Sequence, residues 1–205
     1  GMNTSTAGPA FGGGCGGNGI CKDQLDPPSS AEIEWLEYMR EEEKLARDAY
    51  ILMNEEHGLL IFANIARSEQ LHMDAVKSLF EKYDLIDPVE DESPDSYGQF
   101  SNVILDGLFE AFMDRGLTDL MVGLQVGGEI EETDMRDIST AISETSKEDI
   151  ISTYQNLLCG SANHLRAFVK QIEILGGEYQ PLYLTEDELA EIVGAPVARK
   201  CEGNR

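Results

Sequence analysis

Three glutamates in this sequence stand where a helix would be expected to carry leucine. Glu43, Glu69 and Glu131 each lie between apolar residues one helical turn before and one turn after. Burying a carboxylate without a partner is costly in free energy. Three of them in one core would need strong positive charge, yet the chain has only 15 Lys and Arg against 39 Asp and Glu. Divalent metal ions supply such charge compactly.

Two of the three histidines extend this pattern. Glu69 and His72 form a Glu-x-x-His pair, whose spacing places both side chains on one helix face. His164 lies on the predicted inward face of a later helix, and carboxylate with imidazole is a ligand set for iron, manganese or zinc. A hydrogen-bonded core histidine is the alternative, and the glutamate one turn before His72 favours metal. His57, next to Gly58, is interpreted as a helix-end or surface residue.

The third long helical segment holds more carboxylates than one face can direct inward. Periodicity favours Glu131, with Asp134 one turn later, whereas Glu129 and Glu132 fit a solvated face and serve as reserves. The pattern thus predicts a site for divalent metal ions, and iron, manganese and zinc all fit these ligands. The predicted metal ligands are Glu43, Glu69, His72, Glu131, Asp134 and His164.

Apolar residues recur every three or four positions over four segments, which predicts four long helices. Ser29 with Glu32, and Ser146 with Asp149, have the spacing of helix-capping pairs. Further short helices are expected at 102–115 and 186–193, the latter capped by Thr185, and no segment has a convincing strand pattern. The long helices are expected at about 30–56, 61–83, 118–143 and 146–175.

The connections between these helices predict the topology. The first and second helices, and the third and fourth, are joined by short links, which make antiparallel neighbours. More than 30 residues separate the second helix from the third, so this link should cross the bundle. We therefore expect a Gly-rich arm at 1–28, an all-α four-helix bundle with one long crossover at 29–177, and a C-terminal extension with a short helix at 178–205.

The charge balance limits the classes of molecule that this protein could bind. A net charge of −24 lacks the basic footprint that nucleic acid requires. No apolar run approaches membrane-spanning length, and the start lacks the pattern of a signal peptide. The sequence fits a cytoplasmic location, and it also fits export if a leader has been removed. We expect metal ions and a small-molecule oxidant as partners, and a homodimer stays open.

The four cysteines are divided between a helix and the terminal segments. Cys159 falls within the fourth helical pattern and is interpreted as a reduced core residue. Cys15, Cys21 and Cys201 lie in terminal segments that are poor in core-forming residues, so ordered tails would need tethering. A disulfide that involves one of these three is therefore expected, with metal binding or free thiols as the alternatives.

Several segments resemble the ferritin-like superfamily. EEEKLARDAY resembles the first-helix segment that provides one Glu ligand, which maps to Glu43, and SEQLHM resembles the Glu-x-x-His of rubrerythrin, which maps to Glu69 and His72. The stretch 30–176 also resembles an uncharacterised family of ferritin-like domain proteins of archaea and bacteria. The shared segments are MREEEKLARDAY, FANIARSEQLHMDAV, VGGEIEETDMRD and NLLCGSANHLRAF.

The resemblance implies a ferritin-like fold and a non-haem di-iron oxidoreductase that reacts with dioxygen or peroxide, or oxidises Fe(II). The sequence departs from the superfamily where the fourth helix has Ser161 in place of the usual Glu, for which Asp134 or Glu132 is the expected replacement. It also lacks the CxxC pair of a rubredoxin iron centre. Tyr50 and Tyr154 are interpreted as core residues, with a redox or hydrogen-bonding role near the metal as the alternative. The alternatives are a non-catalytic metal-binding protein and a purely structural helical bundle.

Overall fold

The computed structural model describes residues 26–196 and residue 201. These residues form six α-helices and one short 3₁₀ turn, Pro94–Ser96, with no strand among them, so the predicted all-helical fold class is confirmed. None of the described helices is both long and apolar enough to cross a membrane. The helices are α1 (Ser30–His57), α2 (Leu60–Tyr83), α3 (Val103–Gly116), α4 (Leu120–Ser143), α5 (Glu148–Ile174) and α6 (Glu186–Gly194).

The four long helices pack as two hairpins. α1 packs along α2 and α4 packs along α5, while α1 also contacts α4 and α2 contacts α5. The connection 84–119 joins the two hairpins, and its helix α3 packs on both α1 and α4. The result is a helical bundle with one long middle connection, as the loop lengths predicted.

Local capping explains most of the helix starts. Ser29 and Glu32 form the predicted capping box of α1, and Thr185 with Glu188 forms another at α6. The predicted cap at Ser146 is wrong. α5 begins after Lys147, which takes the cap position in an extended conformation and makes no side-chain capping bond with any described residue, because its ammonium group has no acceptor.

The apolar core is divided into two clusters that lie at different levels of the bundle. One cluster contains Tyr50, Phe62 and Phe168, whose rings pack against one another. The other contains Phe80 and Tyr154. Along each long helix the predicted ligands fall between residues of these two clusters. The polar site is therefore enclosed above and below by apolar packing.

The middle of α1 is buried on every side, because the connection 84–119 covers the face that would otherwise meet solvent. All residues of 40–50 are buried. Arg40 pairs with Asp87 and Glu92 of this connection, and Lys44 donates to Asp48 and to the Ser96 carbonyl. These ion pairs satisfy charges that the helix would otherwise bury alone.

The cysteine prediction is partly wrong. Cys201 is in a disulfide, as expected for at least one terminal cysteine, but its partner is Cys159, which was expected to stay reduced. Their Cα atoms lie 5.6 Å apart, within the ordinary range for a disulfide. The bond ties the C-terminal segment to α5. Cys15 and Cys21 lie outside the described residues.

Candidate metal centre

Five of the six predicted ligands come together at the middle of the bundle, in two overlapping groups. Glu43, Glu69 and His72 form one group, contributed by α1 and α2. Glu69, Glu131 and His164 form the other, contributed by α2, α4 and α5. Within each group, one ligand atom per residue lies within 4.8 Å of the others. Glu69 belongs to both groups.

The carboxylate of Glu69 extends one oxygen toward each histidine. Its Oε2 lies 2.8 Å from Nδ1 of His72, and its Oε1 lies 2.7 Å from Nδ1 of His164. Yet neither Glu69 Oε1 nor His164 Nδ1 has a hydrogen-bond partner within the described residues. The two atoms therefore approach as an ion pair without the alignment of a hydrogen bond, and both are available to a common cation.

Neighbouring groups hold the ligands in place. Tyr50 donates a hydrogen bond from its hydroxyl to Glu131 Oε1, at 2.5 Å. The Nε2 of His164 lies 2.9 Å from the hydroxyl oxygen of Ser68. A histidine ligand commonly fixes its tautomer through such a bond at its second nitrogen. The Nδ1 of His164 is therefore free to bind a cation when Nε2 carries the proton.

The sixth predicted ligand, Asp134, faces the same centre from α4. Its carboxylate is buried; Oδ2 accepts a hydrogen bond from the Ser161 hydroxyl at 2.5 Å. Its Oδ1 has no hydrogen-bond partner in the described part of the chain. Burial, and then the negative charges of Glu43 and Glu131, raise the pKa of Asp134 well above its ordinary value. Asp134 lies one turn after Glu131 on α4, and its partner Ser161 lies one turn before His164 on α5, but Asp134 belongs to neither ligand group.

The pKa values of the clustered side chains are shifted because the cluster concentrates negative charge. Burial, together with the charge of Glu69, raises the pKa of Glu43 and of Glu131 to about 7. Burial would also raise the pKa of Glu69, but the positive charges of His164 and His72 hold it below its ordinary value. Although burial opposes it, the charges of Glu69 and Glu131 raise the pKa of His164 to about 10. A cation at the centre would replace these protons.

The reserve carboxylates of α4 lie elsewhere. Glu129 forms a two-bond ion pair with Arg115, at 2.7 Å for each bond. Glu132 accepts hydrogen bonds from the Tyr179 hydroxyl and from three consecutive backbone amides of the C-terminal segment, those of 182–184. Glu132 therefore does not replace the missing fourth-helix carboxylate.

Two further residues depart from the sequence-based interpretation. His57 is not simply a surface or cap residue, because its Nε2 lies 2.7 Å from the Gly116 carbonyl and links α1 to the end of α3. Glu42 received no role from the sequence, yet it is buried, and neither of its oxygens has a hydrogen-bond partner among the described residues. The signal that could have drawn attention to it is the run of three glutamates, 41–43, in the middle of a helix.

The fold and the site together define an all-helical bundle with a buried cluster of carboxylates and histidines that could hold metal. The family model described as "Uncharacterized protein domain (DUF2202)" matches residues 32–196, and the chain belongs to this family. It is similar to the "Uncharacterized protein MJ0754" of Methanocaldococcus jannaschii, with 44% identity over 173 residues, 84% of this chain and 92% of that protein.

A solved structure shows the same fold. The chain is similar to the "Crystal structure of hypothetical protein MJ0754 from Methanococcus jannaschii DSM 2661", with a TM-score of 0.80 and 44% sequence identity. The match covers 84% of this chain and 97% of that one.

Proposed function

We propose that this chain is a ferritin-like di-metal carboxylate protein. Its centre would hold two divalent ions, iron first, with manganese or zinc as alternatives. The observation that carries the proposal is the position of Glu69, which belongs to both ligand groups and extends one oxygen toward each histidine. A carboxylate shared in this way is the usual bridge between paired metal ions in a helical bundle.

The residues present fit such a pair of ions. Buried polar atoms without hydrogen-bond partners are costly, and four atoms of the described cluster make no hydrogen bond, although two of them, Glu69 Oε1 and His164 Nδ1, lie 2.7 Å apart as an ion pair. They are Glu43 Oε1, Glu69 Oε1, Asp134 Oδ1 and His164 Nδ1. Bound cations would satisfy all four and would neutralise the carboxylates at the same time.

The ligands divide naturally between the two ions. One ion would be held by Glu43 and His72, the other by Glu131 and His164, with Glu69 between them. Asp134, one turn after Glu131 and with one buried oxygen that makes no hydrogen bond in the described residues, would be a further ligand. In this arrangement Ser161 is not a ligand, because its hydroxyl orients Asp134 through the 2.5 Å hydrogen bond.

Two bound iron ions would supply the electrons for the reduction of dioxygen or peroxide, or would be oxidised as Fe(II) substrate. The protein itself would orient the ligands, through the hydroxyls that contact Glu131 and His164, and would exclude bulk water by the apolar clusters on both sides. The side chains of His72 and His164 are 12% and 10% exposed, against at most 2% for Glu43, Glu69 and Glu131. A small oxidant should therefore enter from the imidazole side.

Oxidation of Fe(II) in air tests the catalytic part of the proposal. The wild-type chain should oxidise added Fe(II) faster than Glu69→Gln, which removes the shared carboxylate charge with little change of volume. Glu129→Gln alters a carboxylate of α4 that pairs with Arg115 away from the cluster, so this control should behave as wild type.

The same assay separates the alternative of metal binding without turnover. That alternative is favoured by Ser161, because a hydroxyl stands where the resemblance implies a carboxylate. A chain that binds its metal but oxidises Fe(II) no faster than Glu69→Gln would be a non-catalytic metal-binding protein.

A further inference from the structure

Glu42 is a buried carboxylate next to the candidate centre that the proposed ligand set does not use. It precedes Glu43 on α1, but it is not a member of either ligand group. Burial, and then the charges of Asp134 and Asp137 on α4, raise the pKa of Glu42 well above its ordinary value. Hydrogen bonds from Tyr38 to Asp137 and from Tyr50 to Glu131 show that α1 and α4 run antiparallel, so Glu42, one turn after Tyr38, lies level with Asp134, one turn before Asp137.

Within the part of the chain that the structure describes, neither oxygen of Glu42 has a hydrogen-bond partner, and the same holds for Asp134 Oδ1. Arg136, whose charge opposes the rise in the pKa of Glu42, is already paired with Asp137 at 2.7 Å and has a half-exposed side chain. Unpartnered oxygens that face one another across a helix interface can coordinate a passing cation.

A surface pocket of about 730 Å³ opens beside one of these carboxylates, Asp137. Its wall contains Asp137 and Tyr38, and the Tyr38 hydroxyl donates to Asp137 Oδ2 at 3.1 Å. Glu42 follows Tyr38 by one turn on α1, so it lies one turn inward along the helix from a residue of the pocket wall. Glu34, Glu37 and Glu41 also line this pocket and add to its negative charge.

We propose that Glu42 is a transit ligand for divalent cations that enter at this pocket. A cation would move from Asp137 to Glu42 and then to Asp134, at the edge of the centre. The inference rests on the proposed function, because a transit ligand has a role only if there is a metal centre for the cations to reach. Clefts lined by one sign of charge raise the local concentration and the association rate of the opposite ion.

The rate of Co(II) loading tests this role. The full chain is stripped of metal with a chelator and mixed with Co(II) alone, whose visible absorption reports binding. Glu42→Gln should bind the same final number of ions as wild type, but its loading rate should fall by about tenfold, the lower end of the gain that a charged cleft gives. Glu55→Gln, at an exposed carboxylate of the same helix, should load at the wild-type rate.

Three results would overturn the transit role. Glu42→Gln could load as fast as wild type, which would show that cations take another path. It could bind fewer ions at equilibrium, which would make Glu42 a ligand of the centre. If the wild-type chain bound no Co(II), the proposed metal-binding function itself would be contradicted, and the transit role with it. Should Glu42→Gln fold poorly, Asp137→Asn at the pocket end must show the same slowed loading with unchanged capacity.

Discussion

Replacement of Glu69 by Gln should remove most of the stabilisation that metal gives to this protein. Each bound ion at about one hundred times its dissociation constant adds about 2.7 kcal/mol to the free energy of unfolding. Two ions would add about 5 kcal/mol, and in a chain of 205 residues each kcal/mol raises Tm by about 2–4 °C. The wild-type protein should therefore melt about 10–20 °C higher with metal than with a chelator.

The shared position of Glu69 makes this prediction specific. Glu69→Gln should lose nearly the whole shift, because it removes a ligand from both groups. Glu43→Gln and Glu131→Gln each remove a ligand from one group and should keep about half of the shift. Within each variant the comparison is between loaded and stripped protein, so effects of the substitution on the metal-free state cancel.

Differential scanning calorimetry with added Fe(II) under nitrogen, or with Mn(II) in air, measures this shift. The matched control is Glu129→Gln, which should show the full wild-type shift. The reasoning fails if stripped and loaded wild-type protein melt together. It also fails if Glu69→Gln keeps as much of the shift as Glu43→Gln does, because Glu69 would then serve one ion only.

Three further predictions follow from single contacts. Gly160→Ala should weaken metal binding by about tenfold or more, because a Cβ there would lie 2.4 Å from Nε2 of His72 and displace the imidazole; competition with a chromophoric chelator measures this. Reduction of the Cys159–Cys201 disulfide should lower the free energy of unfolding in urea by about 4 kcal/mol, the value expected for a loop of 42 residues. Burial would raise the pKa of Glu92, but its pairing with a buried arginine lowers that pKa to about 2. The contribution of this pair to the free energy of unfolding should therefore be complete above pH 4.5, the ordinary pKa of glutamate, and should be lost as the pH falls toward 2.

Each of these has a matched comparison. Gly107→Ala adds a Cβ that meets no atom of the described residues within 4 Å, so it should leave metal affinity unchanged, and equal losses at Gly107 and Gly160 would contradict the steric argument. Cys201→Ser should reproduce the stability of the reduced protein, and an unaffected urea midpoint would show that the disulfide is absent in solution. Glu92→Gln should flatten the acid limb of the pH profile; an unchanged limb would assign it to other carboxylates.

Helical periodicity was enough to predict the long helices and to select Glu131 over its neighbour Glu132. The two residues are one position apart, so their side chains point about 100° apart around the helix, and only one can continue the inward stripe. The structure places Glu131 in the cluster and Glu132 against the backbone of the C-terminal segment. That all the predicted ligands bind metal remains a prediction.

The features that the sequence did not predict depend on contacts between distant segments. The burial of Glu42 arises because the middle of α1 is covered on every side, and the periodicity of α1 cannot show that the connection 84–119 folds over it. Likewise, the pairing of Cys159 with Cys201 depends on the path of the C-terminal segment, for which no local pattern exists. The predicted cap at Ser146 is wrong because the cap position of α5 falls one residue later, at Lys147.

The metal content of the protein tests the central claim most directly. The full chain, purified without chelators and reloaded with Fe(II) under nitrogen, is desalted and its metal is counted per chain by inductively coupled plasma mass spectrometry. Because the ligands form two groups that share Glu69, we expect two ions per chain in the wild type and almost none in Glu69→Gln. A wild-type chain without bound metal after reloading with Fe(II), Mn(II) or Zn(II), or a Glu69→Gln variant that still holds two ions, would contradict the di-metal assignment.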